Sequence, residues 1–157
     1  MPAFEAKLCD PTQLASRVRA LKRPLVFTNG VFDILHRGHV TYLAEARELG
    51  ASLVVALNSD ASVKRLGKGD DRPLNPLEDR MAVVAALESV ALVTWFDEDT
   101  PLDCILACKP DHLVKGGDWR VDQIVGAKEV ATWGGHVHSI AFRHDRSTTK
   151  LLEKIRT

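Results

Sequence analysis

Apolar and polar positions divide the chain into short apolar runs separated by longer amphipathic stretches. Asp10-Pro11-Thr12-Gln13 reads as a helix start: Asp10 caps, Pro11 suits the first helical position and Gln13 completes a capping-box spacing. Leu14, Val18 and Leu21 follow at helical spacing, and Pro24 ends the run. Residues 1–23 are therefore expected to form a helical extension, suited to a subunit interface. Leu25-Val26-Phe27 predicts a buried strand. Val40, Leu43, Ala44 and Leu49 give a helical stripe that stops at Gly50. Ser52 to Leu57 is a second strand, apolar on both faces as a covered parallel sheet requires. Residues 64–75, KRLGKGDDRPLN, read as a loop. Pro76-Leu77-Glu78 opens a helix with Met81, Val84, Ala85 and Leu87 inward. Val90 to Trp95 is a third strand. Thr100-Pro101 starts a helix carrying Ile105 and Leu106. Leu113-Val114 is a fourth strand, ending in Lys115-Gly116-Gly117-Asp118. A helix from Val121 to Thr132, a strand from Val137 to Phe142 and a helix from Lys150 to Arg156, capped by Ser147-Thr148-Thr149, complete the pattern.

Strands alternate with helices throughout. The expectation is an α/β fold: a Rossmann-like, doubly wound sheet of about five parallel strands, with helices on both faces. No linker or repeat interrupts it, so residues 1–157 read as one domain. Charge adds little, since 21 basic residues face 21 acidic ones. A balanced field favours neither nucleic acid nor a membrane surface. No apolar run approaches the roughly 18 residues of a membrane span, and the N-terminus lacks the apolar core of a signal peptide. A cytoplasmic protein is expected. Cys9, Cys104 and Cys108 lack a C-x-x-C spacing and read as buried thiols.

The conspicuous polar groups follow strands. Asp33, His36 and His39 follow the first, Asn58 and Asp60 the second, Lys115, Gly116 and Asp118 the fourth, and Ser147 to Thr149 the fifth. Doubly wound sheets bind ligands beyond the carboxyl ends of their strands, so these segments aim at one rim. Two histidines three apart share a helix face and suit hydrogen bonding to phosphate. Gly38 between them allows close approach. The Ser-Thr-Thr helix start offers a second anion site. Lys64, Arg65 and Lys68 sit on a loop that can close over charge, and Arg80 is one turn into its helix. These parts suit phosphoryl or nucleotidyl transfer, in which the protein positions reactants and stabilises developing charge. The Walker and G-x-G-x-x-G patterns are both missing. His136 and His138 read as ordinary strand residues. Asp97-Glu98-Asp99 reads as a solvated helix start.

T-N-G-V-F-D-I-L-H-R-G-H at 28–39 resembles the first signature of the HxGH, cytidylyltransferase-like nucleotidyltransferases, and R-S-T-T-K at 146–150 resembles the second. Between them NSDASVKRL, RPLNPLEDR, FDEDTP and LVKGGDW resemble the bacterial heptose 1-phosphate adenylyltransferase branch in its free-standing form. The resemblance spans residues 24 to 156. It implies transfer of the adenylyl group of ATP to D-glycero-β-D-manno-heptose 1-phosphate, giving ADP-heptose and pyrophosphate for the lipopolysaccharide core. Mg²⁺ would accompany the ATP, and no residue is assigned as a metal ligand. A separate heptose kinase would supply the substrate, and a homodimer is expected.

By the same resemblance, His36 and His39 stabilise the transition state, Asp33 orders the site and Lys68 neutralises phosphate. Val31 and Phe32 border the nucleotide through their backbone. Arg80, Lys115, Gly116, Ser147, Thr148 and Thr149 also meet the nucleotide. Asp60, Lys64, Asp118 and Trp119 are candidates for the sugar phosphate. Gly67 interrupts the run K-R-L-K-G seen in close relatives, which leaves Lys64 and Lys68 as rivals for one role. Two alternatives stay open: a glycerol-3-phosphate cytidylyltransferase, and a non-catalytic nucleotide-binding module.

Overall fold

The computed structural model describes residues 1–144 and 147–157. Five strands, β1 (Leu25–Gly30), β2 (Ser52–Asn58), β3 (Leu92–Phe96), β4 (His112–Gly116) and β5 (His136–Ile140), form one sheet in the order β3-β2-β1-β4-β5. Every pairing is parallel. The chain first winds outwards from β1 through β2 to β3, then returns to β1's other edge for β4. The switch point therefore lies between β1 and β4, where a crevice must open at the carboxyl ends.

Alternate residues of each strand point to opposite faces. Leu25, Phe27, Val54 and Ala56 join one core with Leu14, Val18, Ile105 and Leu113. Val26, Leu53, Val55 and Leu57 join the other with Tyr42, Leu43, Met81 and Val84. The first is covered by α1 (Leu14–Val18), α5 (Leu102–Cys108) and α6 (Ala127–Thr132), the second by α2 (Arg37–Arg47) and α4 (Leu77–Ala85). Every residue of β2 is buried, as its unbroken apolar run anticipates.

Several boundaries differ from the sequence expectation. β1 runs on through Thr28-Asn29-Gly30, because pairing with Val55-Ala56-Leu57 extends that far. A short helix, α3 (Asp60–Arg65), follows β2, capped by Ser59, whose hydroxyl accepts from Ser62 N. The expected helix from Val121 breaks at Gly126, at φ +91°, so only a 3₁₀ turn (Val121–Gln123) and α6 form. An added Cβ at Gly126 would lie 2.8 Å from Ile105 Cδ1, so close packing as well as φ demands glycine. The N-terminal segment is not a free extension. Cys9 N donates to Val93 O at 2.8 Å, and Cys9, Leu14 and Val18 are buried in the core. All three cysteines are buried, and burial pushes the Cys104 thiol up to about 12. Among the described residues no helix is long and apolar enough to cross a membrane.

Candidate functional site

β1 ends in Gly30, and the chain then turns sharply. Phe32 takes φ +50°, a conformation that costs a non-glycine residue on the order of 1–3 kcal/mol. The turn folds the Phe32 ring back over Gly30, where a Cβ would lie 2.8 Å from it. The same ring meets His39 edge-on at 5.0 Å. Asp33 is thereby pointed inwards, 3% exposed. It accepts from Arg72 Nε at 2.8 Å, from Leu74 N and from Asn75 N at 2.9 Å. Asn75 Nδ2 in turn donates to Asp33 O at 2.6 Å. Burial works to raise the Asp33 pKa, but the Leu74 and Asn75 N–H groups and the Arg72 guanidinium hold it below the ordinary carboxylate value. Asp33 thus fastens the end of the loop that carries Lys68.

His36 is the N-cap residue of α2, and His39 lies one turn in. Their rings stack 3.7 Å apart at 24°. Gly38 is buried beneath them, and a Cβ there would lie 2.9 Å from His36 Cε1. The His39 pKa is lowered to about 4, first by burial, then by His36 and by Lys68. His39 is therefore neutral near pH 7. An incoming anion offsets the two positive-charge causes, His36 and Lys68, and raises its proton affinity.

The remaining wall comes from distant segments. Thr28 Oγ1 bonds to the Tyr42 hydroxyl and donates to Val114 O at 2.9 Å, locking β1, α2 and β4 together. Helix α7 (Thr148–Arg156) is capped by Ser147, whose Oγ accepts from Lys150 N at 3.0 Å. Thr148 Oγ1 donates to Ile34 O at 3.1 Å, docking the helix start against the turn after β1. Lys68 and Lys115 face the same space. Desolvation lowers both ammonium pKa values, and the charges of Arg72 and Lys115 lower Lys68 further. Cations crowded in this way favour a polyanion between them.

Together these groups enclose a cavity of about 220 Å³ at the switch point. It brings together Val31, Phe32, Asp33, His36, His39, Lys68, Lys115, Gly116, Ser147, Thr148 and Thr149 from the sequence expectation. Stacked imidazoles, a helix start and two lysines are chemically suited to a chain of phosphates.

A cytidylyltransferase-like family model matches residues 27–157, both histidines and α7 included. The chain belongs to the cytidylyltransferase-like family. It is 57% identical over 155 residues, 98% of this chain and 96% of the relative, to a D-beta-D-heptose 1-phosphate adenylyltransferase of Bordetella bronchiseptica. It is 56% identical over 138 residues to the bifunctional protein HldE of Hahella chejuensis, covering 88% of this chain but 29% of that protein. Among solved structures, a lipopolysaccharide core biosynthesis protein from Thermoplasma volcanium superposes with a TM-score of 0.64 at 29% identity, covering 78% of this chain and 98% of that one. A pantoate-beta-alanine ligase from Francisella tularensis, 13% identical, shares the fold at a TM-score of 0.59, covering 90% of this chain and 68% of that one.

In this cytidylyltransferase-like chain, five expected site residues lie elsewhere. Arg80 does not line the cavity. It is 1% exposed beneath the site, donating to Asn75 O, Val31 O, Asn58 O and Asp60 Oδ1, so its guanidinium braces the loops instead of meeting phosphate. Asp60 is Arg80's partner at 2.7 Å. Lys64 is exposed on α3 and lines no part of the cavity, whereas Lys68 does. Asp118 and Trp119 are exposed and also lie outside it. The Trp119 indole instead donates to Gly116 O at 3.0 Å and lies 4.8 Å from Lys115 Nζ, a cation–π contact that steadies the lysine. Arg146 of the second signature lies outside the described residues.

Sequence reasoning missed Arg72, Tyr42, Asn29 and Phe142, which all line the cavity. Tyr42 carried a signal, standing three residues after His39 on the same helix face. Arg72 carried none beyond its place in a polar loop.

The depressed His39 pKa makes a prediction. Between about pH 6.5 and 4 the unfolded chain binds a proton at His39 that the folded chain does not. Folding is therefore weakened as pH falls through that window, by about 2 kcal/mol or less at pH 5. His39→Gln is expected to remove this loss. Urea midpoints at pH 7.5 and 5 measure it, and an unchanged pH dependence in the variant would contradict it.

Proposed function

We propose that this chain transfers the adenylyl group of ATP to D-glycero-β-D-manno-heptose 1-phosphate, releasing pyrophosphate and ADP-heptose for lipopolysaccharide core synthesis. The observation that carries the reading is 57% identity, over nearly its whole length, to a relative named for that activity. The polyanion site at the switch point supports it.

The chemistry follows from charge. A phosphate monoester oxygen is already ionised near neutral pH, so it attacks the α-phosphorus without a general base. The new P–O bond forms as the bond from the α-phosphorus to the bridging oxygen breaks, and pyrophosphate leaves with that electron pair. Negative charge gathers on the α-phosphate oxygens and the leaving group. Imidazole N–H groups of His36 and His39 donate to the former. Ser147, Thr149 and the backbone N–H groups at the start of α7 hold the β- and γ-phosphates. Lys68 and Lys115 balance charge where the two substrates meet. Asp33 positions the Lys68 loop.

Mg²⁺ belongs to this reading as the counter-ion that arrives with ATP. Among the described residues no three His, Cys, Asp or Glu side chains converge to hold a metal, and Asp33 is committed to Arg72 and two backbone N–H groups. The phosphate oxygens would therefore be its main ligands, with the charge neutralisation it brings added to that of the lysines. A cytoplasmic homodimer, fed by a separate heptose kinase, completes the proposal. The exposed Val40 and Val83 suit a subunit contact.

The test crosses ATP and CTP with the heptose 1-phosphate and glycerol 3-phosphate, reading pyrophosphate release. Release with ATP and the heptose alone is expected. Release with CTP and glycerol 3-phosphate would replace the substrates, and silence in all four pairs would overturn the reading.

A further inference from the structure

Three of the chain's six histidines meet at the end of the sheet opposite the cavity. His112 opens β4 and His136 opens β5, and the two are partners in the register. His138 stands two residues further along β5, on the same face as His136. The His112 ring lies 5.6 Å from that of His136 at 25°, and 5.1 Å from that of His138 at 40°. His112 Nδ1 and His138 Nε2 are 2.9 Å apart. β5 is an edge strand, His136 is exposed, and His112 and His138 are half-buried, so solvent reaches the group. In sequence His136 and His138 form a lone pair on one strand. The pairing of β4 with β5 brings His112 to them from 26 positions away from His138.

Two neutral imidazoles in such contact share one proton: one nitrogen donates and the other offers its lone pair. Neighbouring ligands of one metal ion, each about 2.0–2.1 Å from it, stand roughly 3 Å apart in tetrahedral or square-planar geometry. The two ring nitrogens are already at that separation. We propose that His112 and His138 chelate a divalent transition ion of the zinc, nickel and copper class. The donating ring moves its proton to its other nitrogen, and both lone pairs then face the ion, which takes the place of the shared hydrogen.

The surroundings suit this chemistry. Burial, then the neighbouring His112 and His136, lower the His138 pKa, so its imidazole is in the neutral, ligating form near pH 7. Asp111 accepts from Leu25 N at 2.7 Å and from Arg23 Nη1 at 3.1 Å, so its carboxylate is committed to the strand end. Among the described residues no three His, Cys, Asp or Glu side chains converge on one point, so water completes the coordination. Imidazole suits zinc, nickel and copper, whereas Mg²⁺ takes oxygen ligands, so the counter-ion of ATP does not compete here. The ion would tie the edge strand β5 to β4. Lys115, the cavity residue on β4, lies three residues on, roughly 10 Å along the strand. The effect is therefore on stability, by preferential binding to the folded chain, and not on the transfer step.

The experiment titrates the chain, free of any histidine tag, with Zn²⁺ by calorimetry. It also records the electron paramagnetic resonance spectrum of the chain with one equivalent of Cu²⁺. The expected results are one tight site, coupling from two imidazole nitrogens, and a thermal midpoint raised by Zn²⁺. His112→Gln and His138→Gln should each weaken Zn²⁺ binding by about tenfold or more, while His39→Gln leaves it within twofold. Wild-type binding in His138→Gln with loss in His39→Gln would put the ion on the paired histidines of the cavity and overturn the assignment. No heat from Zn²⁺ with the wild type, or a Cu²⁺ spectrum with a single coupled nitrogen, would overturn it as well. The wild-type spectrum needs no variant, so a substitution that disturbs folding leaves the proposal open to refutation.

Discussion

His36→Ala and His39→Ala are each expected to lower kcat by about 10²–10³-fold while the chain stays folded. The two rings stack 3.7 Å apart at the start of α2, on the wall of the cavity that also holds the start of α7. A hydrogen-bond donor aimed at developing charge acts mainly in the transition state, so kcat falls more than ATP affinity does. The rings touch and, in the proposed reaction, act on one phosphate. The double variant should therefore lose less than the product of the single losses. Single-turnover pyrophosphate release and ATP titrations measure both effects. Wild-type kcat in either single variant would remove the imidazoles from the mechanism. Gly38→Ala offers a companion test. Its Cβ would press on His36 at 2.9 Å, so it should lower kcat with both imidazoles still present.

Asp33→Ala is expected to cost about 3–5 kcal/mol of stability and most of the activity. Its side chain is 0% exposed and that of Arg72 is 5% exposed, so removing the carboxylate strands a buried guanidinium. The N–H groups of Leu74 and Asn75 lose their acceptor at the same time. The loop through Lys68 then loses its anchor, and the cavity loses a cation. Asp33→Ala/Arg72→Leu should recover part of the stability, because no unpaired charge remains, yet stay inactive. Denaturant midpoints and turnover separate the two effects. Equal midpoints for Asp33→Ala and wild type would mean the pair does not hold the loop. The sign of the pH effect is the same as for His39, and only the window differs. The folded Asp33 pKa lies below its unfolded value. Its contribution is therefore complete above the unfolded carboxylate pKa and is lost as pH falls through the folded one. Acid thus weakens the protein twice, first at His39 and then at Asp33.

The period of the apolar pattern determined the strand–helix alternation, because a strand covered on both faces must be apolar throughout and a covering helix needs only one stripe. The two signatures were legible for a similar reason. The candidate site residues at 28–39 and 147–149 lie on local turns and helix starts, whose geometry neighbouring residues impose. Helix α3 and the break at Gly126 were not legible, since capping by Ser59 and contact with Ile105 overrode a short apolar period. The roles of the long charged side chains were decided by tertiary structure alone. Arg80 and Arg72 look alike in sequence as cations near a basic loop. One is a strut under the site, while the other lines the cavity in a pair with Asp33. Lys64 and Lys68 were rivals until α3 carried Lys64 outwards and left Lys68 on the loop beyond it. Flexible side chains several bonds long reach whatever the fold brings near. Apart from Asn75 O, five positions from Arg80, the partners of Arg72 and Arg80 named here lie 20 to 49 positions away, a separation that no local pattern encodes.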